Sequence, residues 1–331
     1  MKINLRKNLP NIFRIGVSLI LIIWLVRLAG TAQLAQSLAG AEIFFIGLIL
    51  ITANLDRILM AYKWNLLLRS RGIRLPLWEV IGAYYKASFW GSLFLPTIGV
   101  DAVRSFEVIR KTKRPEDTVS SVIVERALGL IATALVSLFG LYLFVEYIDP
   151  NGQGNLYRLL LFLSCIVLLF LLSFRLNWVA ARIGQFPWLG NCLGEKFTGF
   201  LTSYHEFSRN RQVLLIFLFW SILEQFSPVI DTYLVSRALH MHIPWITFVM
   251  FMPVIMMVIR LPISFDGFGV REGLAVYLFG LAGVPQAQAF LLGFIPSIIA
   301  RIAVAPLTLY FFLSSKDTRN IVETEGQNIS L

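Results

Sequence analysis

Long apolar stretches alternate with short polar connections along the whole chain. Six of them approach or exceed the roughly 20 helical residues that cross a hydrocarbon core. These predicted spans are 12–28, 41–62, 118–145, 156–173, 212–238 and 287–313. Two further apolar stretches, 77–95 and 245–283, are interrupted by proline, glycine and charged residues. Because the stretches are continuous rather than alternating, they favour membrane helices over a barrel.

Composition supports this interpretation. Hydrophobic residues make up 57% of the chain and charged residues 15%, and the mean hydropathy is +0.73. These values lie outside the usual range of soluble domains, so the sequence predicts an all-α, polytopic integral membrane protein. The net charge of +10 comes from basic residues between the apolar stretches. Topology and anionic lipid explain such a distribution, and no nucleic-acid partner is expected.

The positions of lysine and arginine predict the orientation. Basic residues cluster at the N-terminus and in 63–74, 104–114 and 175–211, whereas 29–40, 147–155 and 239–244 contain none. The positive-inside rule then places the basic connections and both termini in the cytoplasm, with the chain in the cell inner (plasma) membrane. The first stretch is interpreted as a membrane helix rather than a cleaved signal peptide, because further spans follow it.

Basic connections on both sides of 77–95 favour a re-entrant hairpin over a simple crossing. Near its tip, the letters LPTI precede Asp101 and Arg104, which parallels LPIS before Asp266 and Arg271. Irregular backbone at membrane depth must be buried in protein or line a wet cavity. We therefore predict two repeats, each with one such hairpin.

The order of spans extends the repeat. Residues 1–150 and 151–313 each contain three predicted crossings and one hairpin, so the second repeat is inverted relative to the first. Eight crossings, with 261–283 as a broken helix, satisfy the same charge rule and remain an alternative. An amphipathic helix is predicted at about 194–211, either on the inner leaflet or packed on the protein's own cytoplasmic face. The polar tail 314–331 is predicted to be disordered and cytoplasmic.

Charged residues within or beside the apolar stretches supply the candidate site. Each costs roughly 2.5–3.5 kcal/mol at the bilayer centre, so these side chains should face protein, water or one another. The predicted substrate-binding residues are Arg104, Glu125, Arg126, Arg260, Arg271, Glu272 and Arg301. The predicted hinges and caps at the hairpin tips are Pro96, Gly99, Asp101, Pro262, Asp266, Gly267 and Gly269.

An arginine on the first turn of a helix that begins at membrane depth presents donors suited to a phosphate. Arg104 and Arg271 are expected to lie in this way and to form one anion site together. Glu125 and Arg126 are adjacent, so their side chains point about 100° apart and each is expected to find its partner elsewhere. Glu272 either pairs with a cationic head group or carries a coupled proton.

Catalytic and metal signatures are weak. His240 and His242 form an HxH pair without an obvious third ligand, and the chain contains no HExxH, GxSxG or P-loop motif. We therefore expect no metal, no cofactor and no enzymatic activity. A membrane-embedded transferase or hydrolase acting on lipid phosphates is kept as an alternative, with Asp101, Asp266 or Glu272 as its only candidate nucleophiles.

Four motifs together resemble a known family. LPTIGVDAVRSFEVIR, SSVIVERALGLI, PISFDGFGVREGLAVYLFGLAGV and SIIARIAV occur in this order. They are similar to motifs of the lysylphosphatidylglycerol synthase transmembrane, or flippase-like, family, whose best-known member is the multiple peptide resistance factor. One departure is Gly99-Val100-Asp101, where a glycine pair is expected before the aspartate.

The resemblance implies membrane-cavity roles for Arg104, Glu125, Arg126, Arg271, Glu272 and Arg301. It does not carry over the synthase activity, because this chain ends in a short polar tail. The leading hypothesis is a lipid translocator for an anionic or aminoacylated phospholipid or a polyprenyl-phosphate-linked lipid. A non-transporting partner of a separate lipid-modifying or glycosyl-transfer enzyme is a further alternative, and homo-oligomerisation is left open.

Overall fold

The structure is a computed structural model. It describes the backbone of residues 5–94, 98–148, 211–261 and 264–328, and the side chains of 16–89, 99–146, 211–261 and 264–313. The predicted span 156–173, the predicted amphipathic helix 194–211, Pro96 and Pro262 lie outside the described residues.

The described residues form helices joined by short connections, as the all-α prediction requires. The helices are α1 (Leu5–Ala29), α2 (Thr31–Leu38), α3 (Ile43–Ser70), α4 (Leu77–Phe94), α5 (Ile98–Thr112), α6 (Pro115–Ile148), α7 (Arg211–Glu224), α8 (Ser227–Ala238), α9 (Trp245–Val258), α10 (Val270–Leu281) and α11 (Gln286–Asn328). A 3₁₀ turn, Phe265–Gly267, precedes α10.

Among the described residues, four helical segments are long and apolar enough to cross a membrane. They are Ile43–Ser70, Pro115–Glu146, Arg211–Ala238 and Gln286–Leu313. The bent pair Gly16–Ala29 and Thr31–Leu38 makes a fifth if it is counted as one span. These five coincide with five of the six predicted spans, so the protein is a polytopic helical membrane protein. The inversion of the two repeats stays a prediction.

The first span ends in a sharp bend. Helices α1 and α2 meet at 80° around Gly30, whose φ of 78° is open to glycine and strained for other residues. Helix α2 then occupies most of the lysine- and arginine-free connection 29–40 and packs Leu34 into the core. A connection that the sequence describes only as uncharged is therefore a short helix.

The span Arg211–Ala238 is interrupted near its middle. Helix α7 ends at Glu224 and α8 begins at Ser227, with Pro228 in its first turn, where a missing N–H is tolerated. Polar contacts with α3 lie on both sides of this break. Lys63 makes an ion pair with Glu224 and donates to Ser221 Oγ at 3.1 Å. These contacts tie the first half of the chain to the second.

Both interrupted stretches fold into packed helix pairs. Helices α4 and α5 pack against each other, and α10 packs on α9 and α11. Trp64, Tyr84, Tyr85 and Phe311 belong to one buried cluster beside the first pair. Entry of either pair into the bilayer from one side stays a prediction.

The last helix continues beyond its apolar part. The backbone of α11 is helical to Asn328, although the sequence predicts disorder from residue 314 onwards. An apolar span has already nucleated the helix, and each added residue then costs little, so polar residues can extend it.

Candidate functional site: two arginine clusters and a cationic seam

Arg104 lies inside a cluster that we call saturated, because protein groups accept hydrogen bonds from all three guanidinium nitrogens. The side chain is on α5, which is already helical at Ile98, so Arg104 occupies the second turn and not the first turn that the sequence predicted. Its NH1 donates to Glu125 Oε2 at 2.7 Å, and its NH2 donates to Asp101 Oδ1 at 2.7 Å. NH1 also donates to the hydroxyl of Tyr84, which in turn donates to Glu125 Oε1 at 2.5 Å.

The same aspartate holds the second arginine of the cluster. Arg126 on α6 donates from Nε to Asp101 Oδ2 at 2.8 Å and from NH2 to Oδ1 at 2.9 Å. Glu125 and Arg126 therefore have different partners, which confirms the expectation drawn from their adjacency. Asp101 acts as a bridge between two arginines, a role that the sequence interpretation of Asp101 as a helix cap missed.

Aromatic rings complete the enclosure of Arg104. Its guanidinium carbon lies 4.6 Å from the centre of the Trp64 ring and 4.7 Å from that of Tyr84. Trp64 is held by a 2.9 Å hydrogen bond from its indole N–H to Ser121 Oγ. Arg104 is only 1% exposed as a result. In this conformation its donors serve protein groups, and a head group could not reach them without breaking ion pairs.

The second cluster is built on the loop before α10. Asp266 and Arg301 form an ion pair, and Arg301 NH1 also donates to the Ser297 carbonyl at 2.5 Å. The Arg301 guanidinium carbon lies 4.4 Å from the centre of the Phe268 ring. Asp266 thus neutralises an arginine from α11, whereas the sequence predicted that it caps its own helix.

Glu272 provides the cap instead. Gly269 has a φ of 83°, a value that favours glycine, and this turn directs its N–H to Glu272 Oε2 at 2.6 Å. Ser18 on α1 accepts a 2.9 Å hydrogen bond from the N–H of Phe265, which anchors the start of the loop. The loop is therefore fixed by a residue of the first helix as well as by its own turn.

Two polar atoms at the start of α10 have no hydrogen-bond partner among the described residues. Arg271, on the first turn as predicted, donates from NH2 to the Asp266 carbonyl at 3.1 Å, but its NH1 is enclosed and unpaired. Glu272 is fully buried, and its Oε1 is also unpaired. A buried donor and a buried acceptor are thus both left unsatisfied at one helix terminus.

The two arginine clusters are separate. Arg104 interacts with Asp101, Tyr84 and Glu125, whereas the charged neighbours of Arg271 are Asp266, Glu272 and Arg301. No partner is shared between these two sets of described residues. Arg104 and Arg271 therefore have different protein partners among the described residues, and a joint anion site for them stays a prediction.

A third group of charges, which we call the cationic seam, joins the halves. It consists of Arg126 on α6 and Arg260 just after α9. Helices α6 and α9 pack closely: Ser137 Oγ donates to the Pro253 carbonyl at 2.6 Å, and a methyl group at Gly140 would lie 2.7 Å from the Met250 carbonyl. From Ser137 to Gly140 the contact on α9 shifts from Pro253 back to Met250, so the two helices are antiparallel.

This arrangement brings the two guanidinium groups of the seam within electrostatic range of each other. Arg260 is exposed and has no ion pair with the described residues. The side chain of Arg126 is 44% exposed, although Asp101 takes two of its donors. The seam is therefore the part of the described site that combines open access with excess positive charge, which attracts an anion.

Several residues that shape the site have no conspicuous signal in the sequence. Nothing in the local sequence distinguishes four of them from other polar or aromatic residues within a helix: Ser18, Lys63, Trp64 and Tyr84. A partial signal came from Glu224, an acid inside the predicted span 212–238 that needs a partner, whereas Lys63 lies just beyond the predicted span 41–62. The pairing could not be chosen without the tertiary structure.

The extent of the helical fold and the motifs agree with a comparison to protein families. The model of the lysylphosphatidylglycerol synthase TM region matches residues 11–317. The chain belongs to this family. No curated protein matches it. The lysylphosphatidylglycerol synthase TM region match includes both arginine clusters and the cationic seam, and it is consistent with a lipid-related role in the membrane.

The carboxylates on which an enzymatic function would depend are engaged as charge partners or caps. Asp101 binds two arginines, Asp266 binds Arg301, and Glu272 binds the backbone of Gly269. A carboxylate nucleophile needs a free oxygen that reaches the substrate. In this conformation the ion pairs of Asp101 and Asp266 and the burial of Glu272 compete with such access.

Proposed function

We propose that the protein is a lipid translocator of the inner (plasma) membrane, with both termini in the cytoplasm. It moves an anionic or aminoacylated phospholipid, or a lipid-linked phosphate, between the leaflets. The observation that carries the proposal is the cationic seam: Arg126 and Arg260 come from different halves, lie within electrostatic range of each other and keep more positive than negative charge.

The surroundings of the seam suit an amphiphile. Leu130, one turn beyond Arg126, is 46% exposed, and Leu261, next to Arg260, is 56% exposed. Met257, one turn before Leu261, is 38% exposed. A phosphate at the two arginines would leave its acyl or prenyl chains beside apolar side chains, which hydrocarbon contacts without penalty.

The saturated Arg104 cluster is then a support for the seam. Asp101 links Arg104 to Arg126, so the buried cluster fixes one of the two guanidinium groups that receive the head group. The ion pair of Lys63 with Glu224 adds a second link between the halves. Movement of one half against the other would change the distance between Arg126 and Arg260, and with it the affinity for an anion.

Reconstitution tests the proposal. Purified protein in phosphatidylcholine vesicles should move phosphatidylglycerol labelled on its acyl chain, as measured by the fraction of label that a membrane-impermeant quencher reaches. Arg260→Gln removes a charge-assisted contact, and we expect transport to slow by about tenfold or more. Arg110→Gln, a change of an arginine that is 47% exposed on α5, is the matched control and should transport normally.

The decisive negative result is specific. If labelled phosphatidylglycerol, labelled polyprenyl phosphate and labelled phosphatidylethanolamine all keep their original leaflet in vesicles that contain folded protein, the translocator proposal fails.

A further inference from the structure

The start of α10 carries a second recognition element that the seam does not use. We infer that Arg271 and Glu272 form a two-part subsite for a head group that contains both a phosphate and a primary ammonium joined by a short linker, as in phosphoethanolamine lipids. This inference rests on the proposed translocator function and extends its substrates to phospholipids with a zwitterionic head group.

The unsatisfied atoms define what a ligand must supply. Arg271 NH1 is a charged donor without an acceptor, and Glu272 Oε1 is an acceptor without a donor. Native proteins satisfy the large majority of their buried polar groups, so two exceptions on consecutive residues need an explanation. A ligand that satisfies both must bring an acceptor for the guanidinium and a donor for the carboxylate.

The neighbouring charges do not satisfy these two atoms. Asp266 is already paired with Arg301, and Arg271 reaches only its backbone carbonyl. Arg271 and Glu272 are adjacent on a helix, so their side chains diverge by about 100° and do not pair directly. Two charges held apart in this way complement a zwitterion whose own charges are separated by a linker, better than they complement a single anion.

The backbone geometry keeps Glu272 ready for an ammonium group. One carboxylate oxygen accepts the N–H of Gly269 at 2.6 Å, which fixes the side chain and directs the other oxygen away from the cap. Arg271 lies on the first turn of a helix of 12 residues, where unpaired N–H groups add to the attraction for a phosphate. Both free atoms are enclosed in this conformation, so binding must accompany opening of the contact between the loop and α1.

The test compares three phospholipids that differ only in the head group and carry the label on an acyl chain. Phosphoethanolamine has a primary ammonium, phosphocholine has a cation without N–H donors, and phosphoglycerol has no cation. For the unmodified protein in vesicles, we expect phosphoethanolamine to move at least tenfold faster than phosphocholine. Native mass spectrometry should show the same order of lipid retention.

Glu272→Gln is the critical variant. A glutamine can keep the cap through its carbonyl oxygen, but it then places an NH₂ group where the ammonium should bind, so the preference for phosphoethanolamine should disappear while phosphoglycerol still moves. Glu79→Gln on α4, whose side chain is 38% exposed, is the matched control and should keep the preference. The thermal midpoint of each variant in detergent verifies that it is folded.

The outcomes separate the two proposals. If phosphoglycerol moves but phosphoethanolamine has no advantage over phosphocholine, or if folded Glu272→Gln keeps the advantage, the subsite is wrong and the translocator stands. If none of the three lipids moves and labelled polyprenyl phosphate also keeps its leaflet, the translocator proposal itself is contradicted. If phosphoethanolamine is preferred and Glu272→Gln abolishes only that preference, both proposals are supported.

Discussion

Arg104 and Arg271 follow matching LP-containing stretches, yet their surroundings are opposite. Arg104 has two carboxylates, a tyrosine hydroxyl and two aromatic rings around it. Arg271 has one backbone carbonyl and an unpaired nitrogen. The first arginine is a structural centre, and the second keeps hydrogen-bonding capacity that protein groups do not use.

The difference teaches how a membrane protein can use the same residue type for support and for recognition. A buried arginine stabilises the fold only when its charge is neutralised and its donors are filled. An arginine with an unpaired buried donor lowers the folding stability, and a ligand that accepts a hydrogen bond from this donor stabilises the protein. The cationic seam is intermediate, because Asp101 accepts two hydrogen bonds from Arg126 while Arg260 is exposed and has no ion pair with the described residues.

The largest expected effect is on the saturated arginine. Arg104→Ala removes the ion-pair partner of the buried Glu125 and one of the two arginines that bind Asp101. Breaking a buried ion pair in this way costs about 3–5 kcal/mol of folding free energy. Arg271→Ala removes one hydrogen bond to a carbonyl and should cost no more than about 1.5 kcal/mol. Unfolding free energies measured in mixed micelles with increasing sodium dodecyl sulfate give both values.

The control for this pair is Arg110→Ala, at an exposed position on the same helix as Arg104, which should change stability by less than about 0.5 kcal/mol. Equal losses for Arg104→Ala and Arg271→Ala would contradict the distinction between the two clusters.

A double-mutant cycle sharpens the comparison. Arg104 and Glu125 are in direct contact at 2.7 Å, so the variants Arg104→Met and Glu125→Met should show a coupling free energy of about 2–3 kcal/mol. The same cycle with Arg271→Met and Glu272→Met should give less than about 1 kcal/mol, because these neighbours attract each other through space but share no hydrogen bond. A strong coupling in the second cycle would mean that the residues form an ion pair, and the proposed subsite would lose its basis.

The smallest effects test single hydroxyl groups in the two clusters. Tyr84→Phe removes a hydroxyl that joins Arg104 to Glu125, and we expect a loss of about 1–2 kcal/mol. Ser18→Ala removes the acceptor of the Phe265 N–H, a neutral hydrogen bond, and should cost about 1 kcal/mol. Thermal midpoints in detergent compare the two variants. A larger loss of stability for Ser18→Ala than for Tyr84→Phe would contradict the predicted order.

Much of the site could be predicted because charge inside apolar sequence is conspicuous. Charge within apolar sequence singles out five residues that lie in the two clusters, namely Arg104, Glu125, Arg126, Arg271 and Arg301. The adjacency of Glu125 and Arg126 also predicted that their partners differ, since helix geometry is local. What local patterns do not encode is the choice of partner: that Asp101 would bridge Arg104 and Arg126, and Asp266 pair with Arg301, depended on how the helices pack.

The sequence by itself determined the class of the protein, five of the spans that the structure describes, and the charged residues that need partners. Those properties follow from hydropathy over about 20 residues and from the 3.6-residue period of a helix, both of which are local. The tertiary structure alone decided which partner each charge receives. Whether an arginine is filled, like Arg104, or left open, like Arg260, depends on side chains contributed by helices far apart in the chain.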